Sequence, residues 1–373
     1  MEMEGLETFV PLMERSKGFE ELKKTIIDQG LCSSCGVCAA FCERVEWKDE
    51  GPEMIGDCNM EIGAVKCNVN GICYDHCPHV SFSVPELEKE VFGVEREDKE
   101  IGYYKRAVAA RSKHRDILEK AQDGGAVTSL LLCAIENGFV DGASIATRTD
   151  DWKVDSIVAK GKEDLLKGSG TKYTRAPSVV NFGKSLREVR RLAVVGTGCQ
   201  MTGARKVERT LLNDIPNIEL LNIGLFCFEN FPYDGLKEKI ESEFKVSIGD
   251  VVKTDITKGK FIIWTKDGKR QEKSVKVFDE HVPEACLMCT NFTSTFSDIS
   301  VGSIGSEDGW STVIVRTDKG SELLDKAVEG GYLEIKDKVD LEKVRRNTEL
   351  KYGKRDAAAR KREEEGKIVP DYS

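Results

Sequence analysis

The segment LCSSCGVCAAFC, residues 31–42, places four cysteines at the spacing C-x2-C-x2-C-x3-C. This spacing is typical of bacterial two-cluster ferredoxins, in which the first three cysteines bind one 4Fe-4S cluster and the fourth binds the other. Gly36, between two of these cysteines, lets the backbone pass close to inorganic sulfur without steric cost. The segment therefore predicts a small two-cluster ferredoxin-like domain.

A second group of cysteines completes the predicted ligand sets. In CYDHCPH, residues 73–79, a proline follows the second cysteine, as is usual at the end of such domains. We predict one 4Fe-4S cluster on Cys32, Cys35, Cys38 and Cys77, and a second on Cys42, Cys58, Cys67 and Cys73. The longer loop between Cys58 and Cys67 departs from the regular spacing. Two zinc sites are the alternative, but zinc modules usually present separated pairs rather than a triple.

Composition narrows the class of protein. The chain has 373 residues, enough for two or three domains, and a net charge of -9, which argues against nucleic acid as a partner. The N-terminal MEMEGLETFV is acidic, unlike a secretory signal, and the longest apolar run, AVTSLLLCAI, is too short to span a bilayer. We therefore expect a cytoplasmic protein that does not span the membrane, although it could lie peripheral to a membrane complex. Its 13 cysteines then favour metal ligation over disulfides.

The composition changes along the chain and predicts five segments. Downstream of the cysteine-rich region, apolar stretches such as RLAVVGTG and STVIVRT alternate with helical ones, which predicts an α/β (α+β) domain. The charged C-terminal segment has almost no core-forming face and predicts a peripheral helix or a partner-docking arm. The boundaries are an N-terminal extension at 1–20, the ferredoxin-type domain at 21–85, an acidic linker at 86–102, the α/β domain at 103–340 and the tail at 341–373.

Glycine-rich segments in the α/β domain suggest a dinucleotide or flavin site. DGGAVTSLL at 123–131 places two glycines before a helix, whose free amides could hold a phosphate. GSGTKYTRA at 168–176 could form an anion-binding nest, and GSIGSEDGW at 302–310 is a third such turn. Each alone is more often an ordinary turn. VVGTGCQMTGA lacks the G-x-G-x-x-G spacing, so we interpret it as a loop that presents Cys199 to a metal.

Several motifs in the same order resemble the beta subunit family of coenzyme F420-reducing hydrogenases and dehydrogenases. They are DGGAVTSLLLCAIENGFVDGA, GSGTKYT, VVGTGCQ, IGLFCFENFPYDGL and CLMCTNFTSTFSDISVGSIGSEDGWSTVIVRT. The resemblance covers roughly residues 103–335. It implies FAD, one further 4Fe-4S cluster, and hydride exchange with coenzyme F420 as substrate.

The resemblance also implies the ligands of that third cluster, which are Cys199, Cys227, Cys286 and Cys289. Three clusters take twelve thiolates, which leaves Cys133 as a buried apolar residue. Spacing alone leaves zinc open at this quartet. We predict flavin contacts from Asp123, Gly124, Gly125, Thr128, Gly170, Thr171, Lys172 and Tyr173, with Arg175 as a candidate for the anionic tail of the deazaflavin. No catalytic side chain is expected, because the cofactors carry the chemistry, with Lys172 the one candidate.

The predicted function is a coenzyme F420-dependent oxidoreductase subunit. In it, FAD converts hydride transfer into single electrons for three 4Fe-4S clusters. The resemblance implies partner subunits of a hydrogenase, formate dehydrogenase, heterodisulfide reductase or F420H2 dehydrogenase type complex. Two alternatives are a flavin and iron-sulfur reductase of another substrate, and an electron-transfer polyferredoxin subunit.

Overall fold

The structure is a computed structural model, and it describes residues 17–42, 44–48, 51–56, 60–62, 65–67, 71–186, 189–212 and 217–373. Side chains are described for these residues except those at 60–62, 65–67 and 183–184. Within this part of the chain, no helix combines the length and the apolar character needed to cross a membrane.

The N-terminal region consists of short elements around the cysteines. Its helices and strands are α1 (Phe19–Leu22, extended by a π-helical turn at Lys23–Ile27), α2 (Val37–Phe41), β1 (Val45–Lys48), β2 (Gly51–Met54), β3 (Met60–Ile62), β4 (Val65–Cys67) and α3 (Ile72–Asp75). The strands form two antiparallel pairs, β1–β2 and β3–β4. Gly36 and Gly71 precede α2 and α3 at φ 86° and 109°, a backbone region that favours glycine. The arrangement is consistent with a small ferredoxin-like domain.

The acidic linker contains a helix, α4 (Val84–Phe92), that packs against the protein. Ser83 caps it by accepting a hydrogen bond from the Glu86 amide. Glu88 is fully buried and forms an ion pair with Arg96. The linker is therefore not only a solvated helix face, because one of its carboxylates lies in the interior.

An eight-stranded mixed sheet forms the centre of the α/β domain. Its order is β15-β5-β14-β13-β9-β8-β6-β7, with the four strands from β13 to β6 parallel and the outer pairings antiparallel. The strands are β5 (Arg106–Ser112), β6 (Gly142–Arg148), β7 (Val154–Ala159), β8 (Arg191–Thr197), β9 (Glu219–Leu225), β13 (Ile299–Gly302), β14 (Ser311–Val315) and β15 (Leu333–Lys336). The predicted α/β class is confirmed.

Helices cover both faces of this sheet. They are α5 (Arg115–Lys120), α6 (Ala126–Glu136), α7 (Lys162–Lys167), α8 (Asn181–Ser185), α9 (Gly198–Val207), α10 (Tyr233–Glu243), α11 (Glu284–Met288), α12 (Asp318–Glu329) and α13 (Leu341–Glu364). Successive residues of β8 point to opposite faces, as a strand requires. Ala193 therefore packs in the core with α6 and α12, and Val194 packs in the core with α9 and α2. The N-terminal region thus helps to cover the second face.

A separate antiparallel sheet was not predicted from the sequence. It has the order β10-β11-β12 and comprises β10 (Val251–Thr257), β11 (Lys260–Thr265) and β12 (Arg270–Ser274). Phe261 and Ile263 of β11 are fully buried in an aromatic core with Phe278. This sheet places Lys253 and Asp255 opposite the glycine-rich loops described below.

The C-terminal segment is more deeply embedded than its charge predicted. Helix α13 buries Val344, Lys351 and Arg362, and the Arg362 guanidinium forms an ion pair with Glu284 of α11. Beyond the helix, the Tyr372 carbonyl accepts a hydrogen bond from the Val84 amide at 3.3 Å. The segment was expected to have almost no core-forming face. Its buried positions mix the apolar Val344 and Ala359 with Thr348, Lys351 and Arg362, so they escape a hydrophobic pattern, and a role as a docking arm stays a prediction.

One hydrophobic cluster joins three distant parts of the sequence. It contains Phe19 and Cys73 from the N-terminal region, Met288 from α11 and Ala359 from α13. All four are buried. The N-terminal region and the α/β domain therefore share a core.

Candidate functional site

The first predicted cluster set lies around one cavity. Cys32, Cys35, Cys38 and Cys77 all line it, together with Cys73. Burial, with a smaller contribution from the neighbouring Cys32 thiol, raises the pKa of Cys77 to about 11. Because like charges disfavour one another, four thiols this close need a positive metal centre to ionise together. The structure thus brings the first predicted quartet together.

The second predicted set is described only in part. Cys42 and Cys73 pack in the same hydrophobic cluster. The pKa of Cys38 is raised mainly by burial and then by the thiols of Cys32, Cys77 and Cys73, so Cys73 lies near the first group. Cys58 and the side chain of Cys67 lie outside the described residues. The ligand set of the second cluster therefore stays a prediction.

The third predicted set is assembled from three parts of the α/β domain. Cys199 is the second residue of α9, Cys227 follows β9, and the pair Cys286 and Cys289 lies in and directly after α11. Burial raises the pKa of Cys227 well above its usual range, and the other three thiols raise it further. The ends of β8 and β9 meet because these strands are parallel neighbours. The fold thus brings four cysteines that are far apart in sequence into one group.

A buried lysine stands beside this third group. Lys351 of α13 is 3% exposed, and its ammonium donates a hydrogen bond to the carbonyl of Phe228. Burial lowers the pKa of Lys351, but the nearby thiols of Cys289 and Cys227 more than offset this effect, so the net pKa is raised. Sequence reasoning missed this residue, because it lies in a segment rich in surface lysines and arginines.

The thiols of the described cysteine groups do not lie as close together as a bound zinc ion would hold them. Zinc–sulfur bonds of about 2.3 Å place four tetrahedral thiolates roughly 3.8 Å apart. In the described part of the chain, the one group of three metal-binding side chains with ligand atoms within 4.8 Å of one another is Glu238, Glu280 and His281. The cysteine groups are more widely spaced than a zinc site requires, which fits a larger group such as an iron-sulfur cluster.

The first and third cysteine groups are neighbours. The Cys199 thiol is among the groups that raise the pKa of Cys35, after burial. Gln200, next to Cys199, donates hydrogen bonds to the carbonyl of Cys35 at 3.5 Å and to that of Ala176 at 2.6 Å. One side chain therefore connects the N-terminal region, α9 and the end of the second glycine-rich loop.

The two main glycine-rich loops face each other across a crevice. The hydroxyls of Thr128 and Ser169 are 3.4 Å apart, and the Thr171 amide lies 3.5 Å from the side-chain oxygen of Gln122. A Cβ at Gly124 would lie 2.6 Å from the amide nitrogen of Ser311, so only glycine lets this loop approach the sheet. The buried Nε2 of Gln122 has no hydrogen-bond partner within the described residues. An unpaired donor beside a glycine cradle fits a polar ligand such as a flavin.

Acidic side chains line one side of this crevice. Burial, and then the nearby Asp255 carboxylate, raise the pKa of Asp123 to about 6, while Lys253 acts in the opposite direction. The Tyr173 hydroxyl donates to Asp255 at 3.3 Å and accepts from the Ile256 amide at 3.0 Å. Asp123 and Tyr173 thus lie near the same Asp255 carboxylate, and their contact with a flavin stays a prediction.

The two cationic residues predicted for this site are both engaged. The Lys172 ammonium donates to the carbonyls of Gly168 and, at 3.0 Å, Gly170, so it braces its own loop, and burial lowers its pKa to about 8. Gly125 and Gly170 take φ values of 70° and 80°, which favour glycine. Arg175 points to the N-terminal region, where it donates to the Ser34 hydroxyl at 2.9 Å. Its guanidinium therefore lies beside the first cysteine group.

A polar contact from the C-terminal segment closes the space between the first and third cysteine groups. The Tyr372 hydroxyl lies 3.2 Å from Nδ1 of His79, and both residues line a cavity with Cys199 and Cys289. Burial lowers the pKa of His79 to about 4, so this histidine is neutral at physiological pH. Tyr372 thus forms part of the wall of this cavity, while Cys199 and Cys289 stay partly exposed.

Comparison with known proteins identifies the family. Sequence models described as coenzyme F420 hydrogenase/dehydrogenase, beta subunit, match residues 107–181 for the N-terminal part and 189–340 for the C terminus. Coenzyme F420 hydrogenase subunit beta of Methanosarcina barkeri is 40% identical over 245 residues, which is 64% of this chain and 84% of that protein. This chain belongs to the coenzyme F420 hydrogenase/dehydrogenase beta subunit family. The predicted membership is confirmed.

Two further relatives extend the comparison. A chain of the F420-reducing NiFe hydrogenase complex from Methanosarcina barkeri superposes with a TM-score of 0.69 at 37% identity, covering 74% of this family member and 98% of that chain. The coenzyme F420-dependent sulfite reductase of Methanocaldococcus jannaschii is 34% identical over 365 residues, or 93% of this chain. That match includes the cysteine-rich region but spans 53% of the reductase, about half its length. The relatives therefore show that this chain is an oxidoreductase subunit, and they differ in the enzyme to which the subunit belongs.

Proposed function

We propose that this chain exchanges electrons between coenzyme F420 and a partner enzyme, using FAD and three 4Fe-4S clusters. The observation that carries the proposal is the adjacency of three sites. Gln200, next to Cys199, donates hydrogen bonds both to the Cys35 carbonyl and to the Ala176 carbonyl at the end of the second glycine-rich loop. The chemistry of the bound groups would be hydride exchange between coenzyme F420 and FAD, and single-electron transfer between FAD and the clusters.

The side chains of the crevice would hold and orient the flavin. Gly124 allows the loop at 123–128 to approach the sheet, and Lys172 fixes the loop at 168–175 by binding its carbonyls. The Gln122 amide nitrogen, which lacks a partner in the described structure, is a donor available to the ligand. Asp123 carries a carboxyl with a pKa of about 6 and can therefore hold or release a proton at its oxygen near neutral pH.

We also propose that the protein limits the access of water to the path between the cysteine groups, whose described cysteines are buried or partly buried. Cys199 and Cys35 are linked through Gln200, and the contact between Tyr372 and His79 covers the adjoining cavity. A dry environment with fixed dipoles favours single-electron exchange over side reactions of reduced groups with solvent. The path would continue from the first quartet to the second, because Cys38 neighbours Cys73.

The test follows the absorbance of coenzyme F420 with the purified protein and a viologen under anaerobic conditions. We expect bleaching when reduced viologen is supplied, and return of the absorbance when oxidised viologen is supplied. No change in either direction, with FAD bound, would refute the proposal in favour of an electron-transfer subunit. Turnover of another two-electron donor in place of coenzyme F420 would support the alternative reductase.

Metal content tests the three clusters separately. Iron and acid-labile sulfide should each be about twelve per chain. Cys289→Ser should lower both to about eight, whereas Cys133→Ala, at the fully buried thirteenth cysteine, should leave both unchanged. Zinc in place of iron at the quartet containing Cys289 would overturn the assignment.

The partner is proposed to be another subunit of a hydrogenase, formate dehydrogenase, heterodisulfide reductase or F420H2 dehydrogenase type complex. Relatives named as hydrogenase, dehydrogenase and formate dehydrogenase subunits support this range. We expect the chain to work in the cytoplasm or at the surface of a membrane complex. Identification of co-purifying subunits decides among these parents. Full turnover with a physiological acceptor by the chain alone would contradict a subunit role.

A further inference from the structure

Lys351 is fixed next to the third cysteine group by the backbone of its neighbour. Its ammonium donates to the Phe228 carbonyl and lies 5.5 Å from the centre of the Phe228 ring. Phe228 directly follows Cys227, so the charge is held one residue from a predicted ligand. The side chain is 3% exposed and comes from α13, which begins just beyond the region matched by the family models.

This buried charge has no carboxylate partner of its own. Among the described residues, no carboxylate oxygen lies within salt-bridge distance of the Lys351 ammonium. The nearest acid that acts on it, Glu229, is bound instead by Lys354 at 3.0 Å. An unpaired buried ammonium is strongly unfavourable, so a native site that contains one needs a negative group nearby. The thiols that act most strongly on Lys351 are those of Cys289, Cys227 and Cys286.

We infer that Lys351 sets the reduction potential of the cluster held by Cys199, Cys227, Cys286 and Cys289, by stabilising its reduced form. The inference rests on the proposed function for the presence of that cluster. One-electron reduction adds one negative charge to a cluster bound by four thiolates, and a fixed cation at this distance favours the more negative state. Lys351 thus acts through the charge that it places beside this cysteine group, and within the described residues its ammonium donates to the Phe228 carbonyl rather than to the glycine-rich loops.

Removal of the positive charge should lower the reduction potential of this cluster. The neutral variant Lys351→Met should lower the ratio of reduced to oxidised cluster at a given potential by about tenfold, which is about 59 mV for a one-electron couple. Because the charge is buried, the difference from the unmodified protein should persist at high ionic strength. The first cluster should keep its potential, because Lys351 is not among the groups that act on the thiols of Cys32, Cys35, Cys38 and Cys77.

Lys354 provides a matched control on the same helix. It lies 4.8 Å from the same Phe228 ring, pairs with Glu229, and has a side chain that is 44% exposed. Lys354→Met removes the same charge one turn away in contact with water, where screening is strong. We expect a much smaller change in potential, which should vanish as salt is added.

The experiment is an anaerobic redox titration of the purified, cluster-loaded protein, followed by electron paramagnetic resonance, which needs no coenzyme F420. A lowered potential of the Cys289-containing cluster in Lys351→Met, with Lys351→Arg close to the unmodified protein, supports the inference. Equal potentials in Lys351→Met and the unmodified protein overturn it. Failure of the proposed function would look different, because the third cluster signal would then be absent from the unmodified protein as well.

The iron content of the Lys351 variants provides a second test, in case Lys351→Met loses the cluster. If iron falls by about four per chain in Lys351→Met but not in Lys351→Arg, the positive charge is needed to hold the negative cluster, which supports an electrostatic role. If iron falls equally in both variants, Lys351 acts through packing, and the inference is refuted.

Discussion

Gly203 should be the most sensitive position in the contact between the N-terminal region and the α/β domain. It lies on α9 and faces Val37, which is 1% exposed and sits between Cys35 and Cys38 on α2. A Cβ at Gly203 would lie less than 3.0 Å from Cγ2 of Val37 and 3.2 Å from its Cβ. Gly203→Ala should therefore displace α2, the helix that carries the predicted ligand Cys38.

The magnitude follows from two opposing effects. Alanine in a helix interior is favoured over glycine by about 1 kcal/mol, while overpacking a buried contact costs about 1–3 kcal/mol. Gly203→Ala should thus be neutral to destabilising by about 2 kcal/mol. Val37→Ala removes two methyl groups, worth about 0.8 kcal/mol each, and leaves a cavity, for a loss of about 2 kcal/mol.

The decisive measurement is the double variant. With Val37→Ala present, the contacts with both Cγ atoms are gone and the one at 3.2 Å with Cβ remains, so Gly203→Ala should become stabilising by up to about 1 kcal/mol. Gly353→Ala in α13 is the control, since a Cβ there meets nothing within 4 Å and should stabilise in either background. Anaerobic thermal unfolding of the cluster-loaded proteins measures the shifts of all five variants. Additive effects of the two substitutions, within about 0.5 kcal/mol, would refute the contact.

Three further expectations concern the site. Cys289→Ala should leave hydride transfer to FAD possible and stop electrons from reaching the N-terminal clusters, as followed by stopped-flow absorbance; loss of flavin as well would mean that the third cluster is structural. Burial raises the pKa of Asp123 from 3.8 to about 6, so the stability that its protonated form contributes is present below about pH 4 and lost as pH rises through 6. Asp123→Asn should therefore stabilise by about 1–2 kcal/mol above pH 6 and not below pH 4, in thermal unfolding against pH, and a pH-independent effect would contradict the raised pKa. Gly124→Ala places a methyl group against the backbone at Ala110 and Ser311, which cannot move aside as a side chain can, so purified protein should contain little FAD; normal flavin content would refute the cradle.

The spacing of cysteines and the runs of apolar residues predicted those parts of the fold that are determined by neighbouring residues in the sequence. The spacing from Cys32 to Cys42 indicated a ferredoxin-like region, and apolar runs located strands such as β8 and the helix after Gly125. The quartet containing Cys199 came from family resemblance, because its members meet only when parallel strand ends and α11 come together. The described structure brings that quartet together, while half of the ligands predicted for the second cluster stay untested.

The sequence did not reveal which charged side chains are buried. Lys351 and Glu88 occur in strongly charged segments, where a surface position is the normal expectation. Their burial depends on partners distant in sequence, the Phe228 carbonyl and Arg96 respectively. Similarly, the Arg175 guanidinium donates a hydrogen bond to the Ser34 hydroxyl and does not point to the glycine-rich loops, because the N-terminal region covers that side of the domain.

Phe19, Cys73, Met288 and Ala359 share one hydrophobic cluster. The cysteine-rich region is therefore a distinct segment of the sequence but not a separate structural unit, because it shares a core with the α/β domain. A fragment cut at the linker would expose the apolar side chains of α11 and α13 that this region covers, and exposed apolar patches promote aggregation. Separate expression of the two halves would therefore mislead if used to assign cofactors. An experimenter who wants a flavin domain without the N-terminal clusters should replace their cysteine ligands within the whole chain.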